Sequence, residues 1–156
     1  MVRISKYLAI LILVLAVVSI GVGTTFIVQA QQKENWMQDA MRVEKVALDI
    51  PAAAAKAGDV IDTPQEAQAA ADTIRKHRRN IAPTYEDLLG GKQYDPTDLK
   101  QLTYTQAINM ENYLYLAVLG FGVTTALKGA GAFMILSGIT FGATGTTLLG
   151  LNKRTK

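Results

Sequence analysis

Residues 7–28 form a run of 22 without a charged side chain, and no other feature limits the fold more. At about 1.5 Å of rise per residue, a helix of that length crosses a hydrocarbon core of roughly 30 Å. A second apolar stretch, residues 129–151, matches it. All 13 acids lie from Glu34 to Glu111, whereas the ends carry Arg3, Lys6, Lys153, Arg154 and Lys156 with no acid beside them. Cytoplasmic flanks of membrane spans collect Lys and Arg, so both ends read as cytoplasmic. The expected order is therefore a tail at 1–6, a first span at 7–28, an extracytoplasmic domain at 29–128 that includes helical extensions of both spans, a second span at 129–151, and a tail at 152–156.

A chain of 156 residues with two spans has room for one small extramembrane domain and not for a large enzymatic core. Its net charge of +3 and pI near 9.2 do not imply a nucleic-acid partner. Six of the bases are the five at the ends and Lys128; outside the membrane, ten bases face 13 acids. The absence of cysteine excludes disulfides, thiolate metal sites and cysteine nucleophiles. Val28-Gln29-Ala30 has the small-residue look of a signal cleavage site, but the apolar core before it exceeds the 7 to 15 residues typical of a signal peptide, so the first span is expected to remain uncleaved.

Beyond the first span, residues 31–43 lack Gly and Pro and place Trp36, Met37, Ala40 and Met41 at helical spacing, which continues the helix outward. Trp36 suits either the membrane surface or packing against a neighbouring helix. The period then changes: Val46, Leu48 and Ile50 alternate with Ala47 and Asp49, predicting a short strand over 43–50 closed by Pro51, and residues 59–62 form a second candidate strand. Thr63-Pro64-Gln65-Glu66 carries a capping-box helix start, with Ala67, Ala70, Ala71, Ile74 and Ile81 along one face. Pro83 ends that helix. Residues 84–89 predict a short capped helix stopped by Gly90-Gly91, and Asp95-Pro96-Thr97-Asp98 opens another.

No proline follows Pro96, and apolar character rises from Leu99 and Leu102 through Tyr113, Leu114 and Leu116 into the second span. The nearly uncharged part from 112 to 151 would be about 60 Å as one helix, twice the bilayer core. Either the chain crosses twice with a turn at Lys128, or the part before Lys128 stands outside the membrane. Two crossings would put the basic tail on the outer side, so the single extended helix is preferred, with Lys128 snorkelling at the outer interface.

Small residues recur at every seventh position in both spans: Ala9, Ala16, Gly23 and Ala30 in the first, and Ala117, Thr124, Gly131, Gly138 and Gly145 in the second. In lipid no strong hydrophobic drive pushes helices together, so association depends on the close packing that small residues permit. A seven-residue repeat further predicts a left-handed crossing of about 20°. These seams, with Gly142 completing a GxxxG element after Gly138, read first as the contact between antiparallel spans and otherwise as contact with another subunit. Gly120, Gly122, Gly129 and Gly150 lie off the seam and suit a second interface, which implies a partner.

Arg75-Lys76-His77-Arg78-Arg79 is the densest charge run. Arg75, Lys76, Arg78 and Arg79 can meet an anionic headgroup, a polyanion or an acidic partner, or form a solvated face offset by Asp72, Glu66, Glu86 and Asp87; the solvated face is preferred. His77 is the sole histidine, which gives no support to a multi-histidine metal centre or a Ser-His-Asp triad. The pairs Glu86-Asp87 and Asp95 with Asp98 fit helix starts without acid/base work, and Gly90-Gly91-Lys92 lacks phosphate-loop spacing. Tyr104, Tyr113 and Tyr115 suit interfacial or core packing.

The segments Glu44-Lys45-Val46-Ala47-Leu48, Ala70-Ala71-Asp72-Thr73-Ile74-Arg75-Lys76-His77, Thr84-Tyr85-Glu86-Asp87-Leu88, and Gly120-Phe121-Gly122 to Gly129-Ala130-Gly131 cover much of the chain. In these the sequence resembles a family of small, uncharacterised two-span membrane proteins, abundant in actinobacteria and similar high-GC bacteria. Its members are often labelled, by error propagation, as aromatic ring-opening dioxygenases. The resemblance implies the architecture and supplies no activity; an iron oxygenase usually needs two histidines and a carboxylate. The expectation is a mainly α membrane protein: an antiparallel two-span hairpin with a small, mostly helical α+β extracytoplasmic domain, in the bacterial plasma (inner) membrane. It is expected to be non-catalytic and without cofactor or metal, a structural or accessory subunit of a homo-oligomer or larger membrane complex. The alternative is an extracytoplasmic binding or sensing module for an anionic lipid, envelope polymer or acidic partner.

Overall fold

The computed structural model describes residues 2–44 and 60–154. Among the described residues there are four helices: α1 (Val2–Glu44), α2 (Pro64–Ile81), α3 (Tyr85–Leu89) and α4 (Leu99–Arg154). Contacts divide the chain into two units, one of Met1–Lys33 with Val123–Lys156 and one of Glu34–Gly122. Both α1 and α4 are long and apolar enough to cross a membrane. Helix α4 has 56 residues, about 84 Å of rise, and passes Lys128 without a turn.

In the first unit the helices run antiparallel. Gly23 lies against Gly131, Ala16 against Gly138, and Ala9 against Gly145. Ser19 Oγ donates to the Met134 carbonyl oxygen at 2.7 Å, a bond between the two helices that gives the hydroxyl a partner within the apolar segment.

The second unit has its core at Ile61, Ala67, Ala70, Ala71 and Leu114, with Met41, Ile74, Tyr115, Ala117 and Val118 packed around it. The alanine face of α2 is short enough to let its backbone lie close to α4. Helix α2 starts through reciprocal capping: Thr63 Oγ1 accepts from the Glu66 N–H, and Glu66 Oε2 accepts from the Thr63 N–H at 3.1 Å. Helix α3 is capped by Thr84 and ends at Gly90, whose φ of 55° is left-handed backbone that glycine adopts without strain. Asp98 caps α4, its Oδ1 accepting from the N–H of Lys100 at 2.8 Å.

One expectation is corrected. Among the described residues there is no strand, so the described part of the second unit is helical and gives no support to an α+β domain. Val43 and Glu44 belong to α1, and residues 45–50 of the expected first strand lie outside the described residues. The expected second strand is irregular backbone over 60–62. Ile61 is fully buried there as a single plug of the core. The Asp62 N–H donates to Glu66 Oε2 at 3.1 Å, while the Asp62 carboxylate takes Arg42 at 2.7 Å. The Glu66 side chain thus gives the Asp62 N–H the kind of partner that a neighbouring strand would have supplied.

Candidate functional site

Two constellations stand out, one in each unit. The first is the small-residue seam between α1 and α4. Ala9, Ala16, Gly23, Ala30, Thr124, Gly131, Gly138 and Gly145 are all buried. A Cβ on Gly138 would lie 2.8 Å from the Ala16 carbonyl oxygen, and one on Gly145 would lie 2.7 Å from Leu13 Cγ. Backbone thus meets backbone at Gly138, and the Leu13 side chain fills the space over Gly145, the close packing that lets dispersion act between helices in lipid. Gly142 stands looser, since a Cβ there would lie 3.9 Å from that of Ala16. Ala117 shares the seven-residue period but packs against the core of the second unit, beside the alanines of α2.

Off the seam, a Cβ on Gly21, Gly122, Gly129 or Gly150 would meet nothing within 4 Å. Gly120 differs: its added Cβ would strike Met37 Sδ at 2.7 Å, so this glycine makes room for the methionine of α1 within the second unit.

The second constellation is a charge cluster between α2 and α4. The side chain of Glu111 is 8% exposed, and each of its oxygens accepts from a different arginine: Oε1 from Arg75 Nε at 2.8 Å and Oε2 from Arg78 Nε at 2.9 Å. Arg78 also donates through Nη1 to the hydroxyl of the buried Tyr104. The two guanidiniums lie over aromatic rings, Arg75 at 4.6 Å from the Tyr115 centroid and Arg78 at 4.9 Å from that of Tyr104. The Tyr115 hydroxyl donates to Asp72 Oδ1 at 2.6 Å.

Burial pushes the Glu111 carboxyl up, but the hydrogen bonds from Arg78 and Arg75 outweigh it and hold the group below its ordinary value. The Tyr115 hydrogen bond does the same for Asp72, with Gln68 assisting. Burial, followed by its bond to Asp72, pushes the Tyr115 hydroxyl up to about 12. All these groups are held in the charge state that suits their partners. The cluster is a clasp between two helices, with both carboxylate oxygens occupied.

This revises the reading of the basic run. Arg75 and Arg78 both reach Glu111, because spacing of three residues puts them on the same face of α2. Lys76, His77 and Arg79 are exposed. Of the acids expected to offset the run, Asp72 lies 3.7 Å from Arg75 Nη1, whereas Glu66 closes the α2 capping box, and Glu86 and Asp87 belong to the first turn of α3. Asp95 takes the N–H and hydroxyl of Thr97 in a turn. Trp36 and Tyr113 are exposed, at 67% and 72%, whereas Tyr104 is core.

The sequence reading missed Glu111. Its signal was available: Tyr104, Glu111 and Tyr115 are seven and four residues apart and share a face of α4, opposite the arginine pair of α2. Among the described residues no group of three His, Cys, Asp or Glu could hold a metal ion. Comparison with protein-family models, with curated proteins and with solved structures finds no match to this chain.

Proposed function

We propose that this chain is a non-catalytic integral membrane protein of the bacterial plasma membrane, acting as a structural or accessory subunit of a homo-oligomer or larger membrane complex. Both termini are cytoplasmic, and the segment between the spans is extracytoplasmic. The basic ends and the confinement of acids to residues 34–111 support that topology.

The observation that carries the subunit reading is a contrast between the outward faces of the two long helices. Helix α1 turns large apolar residues outward, among them Leu8, Leu11, Val14, Val17 and Val18, each more than half exposed, and between residues 8 and 28 its exposed small or hydroxylated residues are confined to Gly21, Thr24 and Thr25. Such a face suits acyl chains. Helix α4 also exposes Phe133, Leu136 and Ile139, but interleaves them with exposed Gly122, Ala126, Gly129, Ala130, Thr140 and Thr144. Small and hydroxylated residues are what membrane helices present to other helices. The threonine hydroxyls donate to carbonyl oxygens one turn back, at 3.0 Å for Thr140 and 2.9 Å for Thr144. Each keeps an oxygen lone pair for a neighbouring donor.

The clasp on Glu111 favours this reading over an anion-binding module, since it occupies two of the four bases such a module would use. The chain lacks cysteine, so a single Gly129→Cys variant gives a clean test in native membranes. Oxidation is expected to yield a cross-linked dimer or a higher-mass adduct with another subunit, and Leu11→Cys on the α1 face is expected to give much less. Equal cross-linking from both positions, or monomer alone in mild detergent and after oxidation, would overturn the proposal.

A further inference from the structure

We draw no further inference here: the strongest candidate, the outward face of α4 with exposed Leu116, Leu119 and Val123 beside the open glycines Gly122 and Gly129, belongs to the surface already proposed for subunit contact, and nothing in the structure shows which partner covers it.

Discussion

Gly23 and Gly131 approach so closely that a Cβ built on either one would lie 2.6 Å from the other's carbonyl oxygen. The clash is reciprocal and involves backbone on both sides, so no side-chain rotation can relieve it. Alanine at either position must push the helices apart and loosen the neighbouring contacts. Overpacking of this kind costs about 1 to 3 kcal/mol. Gly131→Ala is therefore expected to lower the unfolding temperature in detergent, whereas Gly129→Ala, two residues away in open space, leaves it unchanged or slightly raised through better helix propensity. Equal melting of the two variants would remove the seam as a source of stability.

Substitution of the open glycines separates folding from association. A Cβ added at Gly122 or Gly129 meets nothing within 4 Å, so a larger side chain there is expected to leave the α1 and α4 contact in place. If those positions face another subunit, Gly122→Leu and Gly129→Leu shift the detergent-solubilised protein toward monomer at unchanged thermal stability. Size-exclusion chromatography with multi-angle scattering reads the first quantity, and thermal unfolding by circular dichroism reads the second. A wild-type mass distribution in both variants argues that lipid covers this face.

The Glu111 clasp gives the second unit a defined dependence on pH. A carboxylate held below its ordinary value of about 4.5 contributes stability above that value, and loses it as pH falls through the lowered one. Asp72, also lowered, acts in the same direction. Acidification from pH 7 toward pH 3 is thus expected to weaken the docking of α2 on α4. Glu111→Ala leaves Arg78, whose side chain is 12% exposed, without its carboxylate. Stranding a buried charge costs about 3 kcal/mol. Proteolysis of residues 64–81 should therefore accelerate at neutral pH in Glu111→Ala, while Glu111→Gln should flatten the acid dependence. An acid profile identical to wild type in Glu111→Gln would refute the assignment.

The same two constellations explain what one dimension can convey. Helix starts depend on residues three apart, and the boundaries at Thr63 and Thr84 are accordingly legible in the sequence, whereas α4 begins at Leu99 with Asp98 as its cap, three residues beyond the opening expected at Asp95. A seven-residue spacing of small residues is equally visible. Which member makes a close approach is not: Gly138 meets backbone at 2.8 Å, Gly142 stands loose, and Ala117 packs elsewhere. Period alone also fails at Ile61, because a single buried side chain in irregular backbone has the same local pattern as a short strand. The Glu111 clasp joins residues 33 and 36 positions apart, a pairing created only when α2 lies back on α4.

The proposed membrane orientation rests on charge alone and admits a direct experiment. In this cysteine-free chain, Lys92→Cys places one thiol in the exposed stretch after the Gly90-Gly91 turn, and Lys6→Cys places one at the exposed start of the first apolar run. A membrane-impermeant maleimide added to spheroplasts is expected to label position 92 at once, and position 6 only after lysis, because basic flanks are retained in the cytoplasm. Neither residue belongs to the seam or to the clasp, so folding should be unaffected. Labelling of position 6 but not of position 92 in intact spheroplasts would reverse the orientation, and labelling of both would indicate that α1 does not cross the bilayer.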